Sequence, residues 1–202
     1  MASQPKLKIA LYGLSANPIH NAHLAIVKKL SQEYDLVFVW AVDNPDKYGS
    51  PDWLNIKMRE EMVDLALKDL RLRNVMNTPQ WSDPWTGKSV QMIRKEYPTA
   101  ELWIALGSDS IKSVSTWSGG ELMSLADGFI EISRPGITLG SETITINKKV
   151  MPVVRLDIVT PPYSSTEIRK KFKIIYKETY DLAEMLPLSV LIYLAKNWPY
   201  KP

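Results

Sequence analysis

The chain has 202 residues, of which 45% are hydrophobic and 23% are charged, and its formal net charge is +3. These values are ordinary for a globular protein, and so small a charge does not indicate nucleic acid as a partner. The absence of cysteine excludes disulfides and thiolate metal sites. The apolar segment Ile9–Leu14 is too short for a signal-peptide core, and no later segment approaches the ~20 apolar residues of a membrane span. We therefore expect a cytoplasmic protein with no membrane partner.

Apolar patterning predicts strands that alternate with helices along most of the chain. In chain order, the predicted elements are a strand at Leu7–Tyr12, a helix at His20–Leu30, a strand at Leu36–Val42, helices at Asn55–Leu67 and Val90–Glu96, strands at Leu102–Leu106 and Gly128–Ser133, a weak hairpin at Ser141–Val150, a strand at Val153–Val159, and helices at Ser165–Phe172 and Pro187–Lys196. This alternation predicts a three-layer α/β fold with a mainly parallel sheet. In such sheets ligands gather at the carboxyl ends of the strands, so the loops after the strands are the places to search.

The loop after the first predicted strand contains both histidines of the chain, His20 and His23. Residues three apart share a face of a helix, and the amino end of a helix attracts phosphate. Two imidazoles at that place would bind a polyphosphate and stabilise the charge that grows on it during phosphoryl transfer. The alternative that two polar residues simply begin a helix stays open. A zinc site is disfavoured because no third ligand is evident.

The loop after the last predicted strand has the features of a second anion site. Ser164 and Glu167 form a capping-box pattern, which predicts that a helix begins there. Hydroxyl groups, free backbone amides and Arg169 would then face an anion at the first turn of this helix. A capped surface helix with solvated basic residues is the alternative.

The two loops together resemble the nicotinamide/nicotinate mononucleotide adenylyltransferase family. The first reads G-L-S-A-N-P-I-H-N-A-H from Gly13 to His23, and the second reads S-S-T-E-I-R from Ser164 to Arg169. The resemblance covers nearly the whole chain in order. Gly107-Ser108-Asp109 looks like the family's G-x-D, Thr116-Trp117 like its T-W, and Arg134-Pro135-Gly136 like its arginine-containing turn.

This resemblance implies a Rossmann-like fold and a single nucleotidyltransferase domain over residues 1–202. It implies that AMP passes from ATP to nicotinate or nicotinamide mononucleotide, which gives deamido-NAD or NAD and pyrophosphate. The mononucleotide phosphate would attack the α-phosphorus of ATP in line, without a protein nucleophile. Magnesium would arrive with ATP, and the resemblance implies no metal site made of protein residues.

The same resemblance implies roles for particular residues. The catalytic residues would be His20, His23 and Arg169. The ATP-binding residues would be Gly13, Ser15, His20, His23, Gly107, Asp109, Ser164, Ser165, Thr166 and Arg169, with Asp109 meeting the adenosine ribose or helping to place magnesium. The mononucleotide-binding residues would be Asn17, Lys47, Trp85, Trp117 and Arg134. Trp117, and after it Trp85 or Trp81, would stack on the pyridine ring, and packing in the core is the alternative for each tryptophan.

The chain departs from the family pattern at three positions in the first loop. Relatives usually have glycine, an aromatic residue and glycine where this chain has Leu14, Ala16 and Ala22. The Ala22 methyl would crowd the nucleotide, because glycine there lets ATP lie against the helix. A catalytically weakened nucleotide sensor of the same fold therefore stays open, as does another adenylyltransferase such as a phosphopantetheine adenylyltransferase. The sequence also leaves the oligomeric state open, a homo-oligomer included.

Overall fold

A computed structural model describes residues 5–50, 52–117, 119–133, 141–174 and 180–198. In chain order, its strands and helices are β1 (Lys8–Leu14), α1 (Asn21–Glu33), β2 (Leu36–Ala41), α2 (Ile56–Leu70), β3 (Val75–Asn77), α3 (Thr86–Glu96), β4 (Glu101–Gly107), α4 (Ser108–Ser113), β5 (Gly128–Ile132), β6 (Thr143–Ile146), β7 (Lys149–Leu156), α5 (Ser165–Ile174), α6 (Tyr180–Met185) and α7 (Leu188–Asn197). None of the helices in these ranges has both the length and the apolar character needed to cross a membrane.

The described strands form one seven-stranded sheet in the order β3-β2-β1-β4-β5-β7-β6. Neighbouring strands are parallel except for the edge pair β6 and β7, which is antiparallel. The predicted α/β fold with a mainly parallel sheet is confirmed. The strand order reverses between β1 and β4, and this kind of reversal is where open α/β sheets bind ligands.

Both faces of the sheet are buried, because alternate residues of the inner strands enter different halves of the core. In β1, Ile9 and Leu11 pack on one side of the sheet, while Ala10 and Tyr12 pack on the other. Helices α1, α2, α5, α6 and α7 cover the side of Ala10, and α3 and α4 cover the side of Ile9. This double burial explains the unbroken apolar run of β2 that the sequence shows.

The structure corrects the prediction for the last part of the sheet. The predicted strand Val153–Val159 is too late, because β7 begins at Lys149 and ends at Leu156, and Val159 is 92% exposed beyond it. The predicted hairpin exists, but its second arm is this same strand. Its turn has φ of 48° at Asn147 and 63° at Lys148. Positive φ at both central residues is the conformation that matches the twist of a two-residue hairpin.

Candidate active site

A cleft of about 1560 Å³ opens at the carboxyl ends of the parallel strands, where the loops after β1, β2, β4 and β7 converge. Two glycines line it, and their surroundings differ. A Cβ atom on Gly13 would lie 2.9 Å from Val42 Cγ2 and 3.0 Å from Trp40 Cε2, so close packing requires glycine there. A Cβ atom on Gly107 would meet nothing within 4 Å. Most of the residues proposed from the sequence line this cleft, namely Gly13, Ser15, Asn17, His20, His23, Lys47, Trp85, Gly107, Trp117, Ser164, Ser165, Thr166 and Arg169.

The two histidines lie together at the start of α1. His20 is the N-cap residue, and its backbone N–H donates to His23 Nδ1 at 3.2 Å. Their rings stack with centroids 3.7 Å apart. Because Nδ1 of His23 accepts a hydrogen bond, the proton of the neutral ring resides on Nε2. The local fold therefore fixes the orientation and the tautomer of His23.

His20 is the more deeply buried of the pair, with 4% of its surface exposed. Burial lowers its pKa from 6.5 to about 4, since the charged form is disfavoured away from water. Its Nδ1 atom is buried and makes no hydrogen bond within the described part of the chain. In the ligand-free cleft at neutral pH, His20 is thus a neutral imidazole with an unused ring nitrogen.

Helix α5 begins at Ser165, where the capping-box pattern places it, and the N–H of Glu167 donates to Ser164 Oγ at 3.2 Å. Two hydrogen bonds attach this helix to the first loop. Ser165 Oγ donates to the Pro18 carbonyl at 3.0 Å, and Arg169 Nη1 donates to the Asn17 carbonyl at 2.8 Å. The two sequence motifs, 147 to 152 residues apart, therefore form one continuous wall of the cleft.

Arg169 is half-buried on this wall. Its Nη2 atom donates to Thr166 Oγ1 at 3.3 Å, while its Nε atom is buried without a hydrogen bond to any described residue. Burial lowers the pKa of Arg169, which reflects the partial loss of water around the guanidinium. A guanidinium in this state interacts more strongly with an entering anion than one in bulk water does.

Lys47 and two tryptophans also line the cleft. Lys47 is exposed in a single 3-10 turn after β2. Trp85 caps α3, is 46% exposed, and has the Nζ atom of Lys88 4.2 Å from its ring centroid. Trp117 is half-buried against the core, and its indole N–H donates to Ser113 Oγ at 3.1 Å. The ring of Trp85 is therefore the more open of the two, and Trp117 both lines the cleft and packs inward.

Asp109 does not line the cleft, in contrast to the sequence-based expectation. It is exposed in the first turn of α4. The buried face of this short helix is formed by Ser108 and Ile111, and Ser108 Oγ donates to the Ile132 carbonyl at 3.3 Å. Because the next residue of a helix points about 100° away, Asp109 faces outward.

Two other residues differ in their surroundings from what the sequence suggests. Trp81 packs on Phe38, with ring centroids 4.7 Å apart, and does not line the cleft. Asn17 lines the cleft, but its amide bonds to a neighbouring loop: Nδ2 donates to the Asp52 carbonyl at 3.0 Å, and Oδ1 accepts from the Leu54 N–H at 3.2 Å. Arg134 lies outside the described residues.

The three departures from the family pattern have different environments. Leu14 is buried in the core at the end of β1, and Ala16 is fully buried with φ of 47°. Ala22 is 6% exposed and lines the cleft beside the histidines. Leu14 and Ala22 therefore both line the cleft where a nucleotide would lie, whereas Ala16 does not.

Sequence reasoning missed one residue behind the cleft, the fully buried Arg59 of α2. Its signal was an arginine three residues before Met62 and four before Val63, both buried on the core face of the helix. An arginine at a core-facing helical position must satisfy its donors inside the protein.

The polar side chains around the cleft suit an anion. Four lining residues carry basic groups, namely His20, His23, Lys47 and Arg169, and a single carboxylate, that of Asp52, lies among the described lining residues. No cluster of three or more metal-ligating side chains occurs within the described ranges. Imidazole, guanidinium and ammonium groups with hydroxyls are donors that match phosphate oxygens.

Comparisons with known proteins find similar sequences and similar folds. A nicotinate-nucleotide adenylyltransferase of Bacillus subtilis is 26% identical over 200 residues, covering 96% of this chain and 98% of that protein. The nicotinic acid mononucleotide adenylyltransferase of Plasmodium falciparum complexed with NaAD has a TM-score of 0.74 at 18% identity, covering 94% of this chain and 95% of that one. Its complex with APC gives 0.73 at 18% identity, with 96% and 97% covered.

Residues 11–171 match the family described as cytidylyltransferase-like. The match runs from β1 to α5 and so includes the histidine loop and the start of the arginine-bearing helix. The family resemblance inferred from the two loops is confirmed. The chain belongs to the cytidylyltransferase-like family.

Proposed function

We propose that this protein transfers the adenylyl group of ATP to nicotinate mononucleotide, which gives nicotinate adenine dinucleotide and pyrophosphate. One observation carries the proposal: the His20–His23 pair and the Arg169-bearing start of α5 meet on one wall of a cleft at the β1/β4 reversal. The names of the Bacillus subtilis and Plasmodium falciparum proteins favour nicotinate as the base of the acceptor. The proposal treats residues 1–202 as one nucleotidyltransferase domain.

The reaction is an in-line displacement at phosphorus. A phosphate oxygen of the mononucleotide attacks the α-phosphorus of ATP and forms a new P–O bond. The bond from that phosphorus to the bridging oxygen of the β-phosphate breaks, and its electron pair leaves with pyrophosphate. No side chain needs to act as a nucleophile, so catalysis consists of positioning the two substrates and stabilising the developing charge.

On the ATP side, His20 and His23 would contact the triphosphate, with neutral His20 offering a ring nitrogen as a hydrogen-bonding group. Arg169, Ser164, Ser165 and Thr166 would hold its β and γ phosphates. Because Ser165 and Arg169 also bind carbonyls of the histidine loop, both halves of the phosphate site are rigidly connected. Preorganised donors of this kind stabilise charge without having to reorient during the reaction.

Gly13, Ser15 and Gly107 would lie against the nucleotide, because they line the cleft at the ends of β1 and β4. On the acceptor side, Lys47 would bind the mononucleotide phosphate. Trp117 and Trp85 would contact the pyridine ring, since both line the cleft. Asn17 would shape this side through its bonds to the 52–54 segment.

Magnesium would be bound by the triphosphate and would neutralise charge on the departing pyrophosphate. The donors around the phosphate wall fit this arrangement, because histidines, hydroxyls and a guanidinium bind phosphate oxygens and leave the cation to the phosphates. The chain's own residues would orient the triphosphate and exclude water from it.

The proposal is tested by pyrophosphate release. The protein is incubated with ATP, magnesium and one acceptor at a time: nicotinate mononucleotide, nicotinamide mononucleotide or phosphopantetheine. We expect release and a dinucleotide product with nicotinate mononucleotide. Release with phosphopantetheine alone would assign a different acceptor, and ATP binding without release for any acceptor would make the protein a nucleotide sensor.

A further inference from the structure

Arg59 projects from α2 into the interior, and its guanidinium is surrounded by acceptors from several loops. Nε donates to the Leu54 carbonyl at 2.9 Å, and Nη1 donates to the carbonyls of Ser15 at 3.0 Å and Val42 at 2.7 Å. Nη2 donates to Asp43 Oδ1 at 3.0 Å. These acceptors lie after β1, after β2 and before α2, so one side chain joins three segments that border the cleft.

Besides the hydrogen bond at Leu54, the segment before α2 has contacts at and around Trp53. The guanidinium of Arg59 lies 4.4 Å from the ring centroid of Trp53, which lines the cleft. The side chain of Asn17 binds the backbone of Asp52 and Leu54 on either side of that tryptophan. The position of Trp53 is thus set by Arg59 and by the first loop together.

Asp43 extends this network to the surface. Its Oδ1 atom accepts from Arg59, and its Oδ2 atom accepts from the hydroxyl of Tyr48 at 2.5 Å. The hydrogen bond to Asp43 raises the pKa of Tyr48, as expected for a phenol that donates to a carboxylate. Tyr48 is 57% exposed and directly follows Lys47. The hydrogen-bonded series Arg59–Asp43–Tyr48 therefore connects a buried side chain of α2 to the residue beside the acceptor-side lysine.

The geometry points to Arg59 as a positioning residue for the acceptor side of the cleft. Through Asp43 and Tyr48 it fixes the turn that carries Lys47, and through Leu54 and Trp53 it fixes the far end of the same loop. This inference rests on the proposed function, since it assigns the turn to mononucleotide binding. A lysine has no planar fork and cannot reach acceptors in several directions at once, so Arg59→Lys should loosen the loop.

The sharpest variant is Tyr48→Phe, because it removes only the outer bond of the network from an exposed residue. Its matched control is Tyr193→Phe. The hydroxyl of Tyr193, in α7, donates to Glu61 Oε2, in α2, at 3.0 Å, and Tyr193 does not line the cleft. We expect Tyr48→Phe to raise KM for nicotinate mononucleotide by about tenfold, the equivalent of one hydrogen bond to a charged group. KM for ATP and kcat should stay unchanged, and Tyr193→Phe should change none of the three.

A second measurement does not depend on activity. In the ligand-free protein, backbone amides of residues 43–54 should exchange hydrogen faster in Tyr48→Phe and in Arg59→Lys than in wild type or Tyr193→Phe. If Arg59→Lys does not fold, Tyr48→Phe carries the test alone.

The two measurements separate the possible failures. Absence of pyrophosphate release from wild type would refute the proposed function, while the exchange rates would still decide whether the network orders the loop. A higher KM with unchanged exchange would show that Tyr48 touches the substrate itself, and faster exchange with an unchanged KM would show that loop order does not matter for the acceptor. Either result would overturn the positioning role.

Discussion

At the scale of single residues, His20 combines burial with a position on the cleft wall. We predict that His20→Ala lowers kcat by about a hundred- to a thousandfold, the usual cost of losing one donor that stabilises charge in the transition state. KM for the mononucleotide should change little, because the contact strengthens as charge develops on the reacting phosphate. Steady-state pyrophosphate release measures both constants. Near-normal turnover in the variant would show that His20 does not stabilise the reacting phosphate.

Trp117 has two structural roles that one pair of substitutions separates. It lines the cleft, and it also packs on the core and donates to Ser113 Oγ. We predict that Trp117→Ala raises KM for the mononucleotide, because a cation–π contact to the pyridinium contributes about 0.5–2 kcal/mol. KM for ATP and most of kcat should be retained, since the ring lies far from the reacting phosphorus.

The comparison variant is Trp117→Phe, which keeps an aromatic face but loses the indole N–H. It should recover part of the mononucleotide affinity that Trp117→Ala loses. Melting temperatures measured beside the kinetics report the packing role. An alanine variant that loses affinity for ATP and mononucleotide alike, together with early unfolding, would assign Trp117 to the core alone.

At the scale of elements, the end of α2 contains a residue in a strained conformation. Arg71 is exposed and adopts left-handed backbone angles, φ 53° and ψ 32°, at the C-cap. A residue with a Cβ atom is disfavoured there by about 1 kcal/mol, and glycine is not. We predict that Arg71→Gly stabilises the protein by up to roughly 0.6 kcal/mol, measured by urea denaturation, because the relief of about 1 kcal/mol of strain exceeds the cost of a more flexible unfolded chain.

Arg73→Gly is the matched control, because Arg73 is also exposed and does not have a positive φ. There glycine adds only flexibility to the unfolded state, so the control should be no more stable than wild type. A gain in the control that equals the gain in Arg71→Gly would mean that the C-cap conformation is not the cause.

The elements that could be predicted from the sequence are those with long patterns or specific end signals. The run in β2 and the Ser164 cap of α5 were predicted correctly, because burial on two faces produces an unbroken apolar run and capping produces a recognisable local motif. Strand β3 has three residues, and α4 and α6 have six each, which is too short for a period to show. The start of β7 was missed because its first residues, like those of its hairpin partner β6, lie in both exposed and buried positions and form no continuous apolar run.

The residues of the candidate site also fall into two groups, those in contiguous motifs and those whose environment depends on the fold. The histidine loop and the S-S-T-x-I-R segment are contiguous, so their residues could be proposed before the fold was known. The outward turn of Asp109 depends on how α4 begins, and the clustering of Trp81 with Phe38 depends on packing across β2. Arg59 acts through four acceptors, three of which lie 16 to 44 residues away in sequence, and only the folded arrangement brings them together.

At the scale of the whole molecule, the sheet brings distant segments to one edge. Because β1 lies beside both β2 and β4, its carboxyl end meets the loops of both halves. Hydrogen bonds from α5, which lies near the carboxyl end of the chain, then attach this helix to the loop after β1 and complete the cleft wall. This topology places His20 at a buried helix start on the cleft wall, and its burial affects the stability of the whole protein.

We predict that global stability falls between pH 6.5 and pH 4 because of His20. Its pKa is 6.5 when the chain is unfolded and about 4 when it is folded. The unfolded state therefore binds the proton first, so the contribution of the neutral ring is complete above pH 6.5 and is lost as the pH falls towards 4. Since a tenfold change in proton affinity corresponds to about 1.4 kcal/mol, the loss amounts to about 3 kcal/mol.

The measurement is the free energy of unfolding at several pH values for wild type and His20→Asn, whose amide does not titrate. Carboxylates that titrate in this range contribute equally to both proteins, so the difference between the two curves isolates the imidazole. We expect wild type to lose about 3 kcal/mol more than the variant between pH 7 and pH 4. Parallel curves would show that the ring titrates normally in the folded protein and is not held neutral by burial. Bound ATP should reduce the difference, because a triphosphate beside the ring stabilises its protonated form and raises the folded pKa.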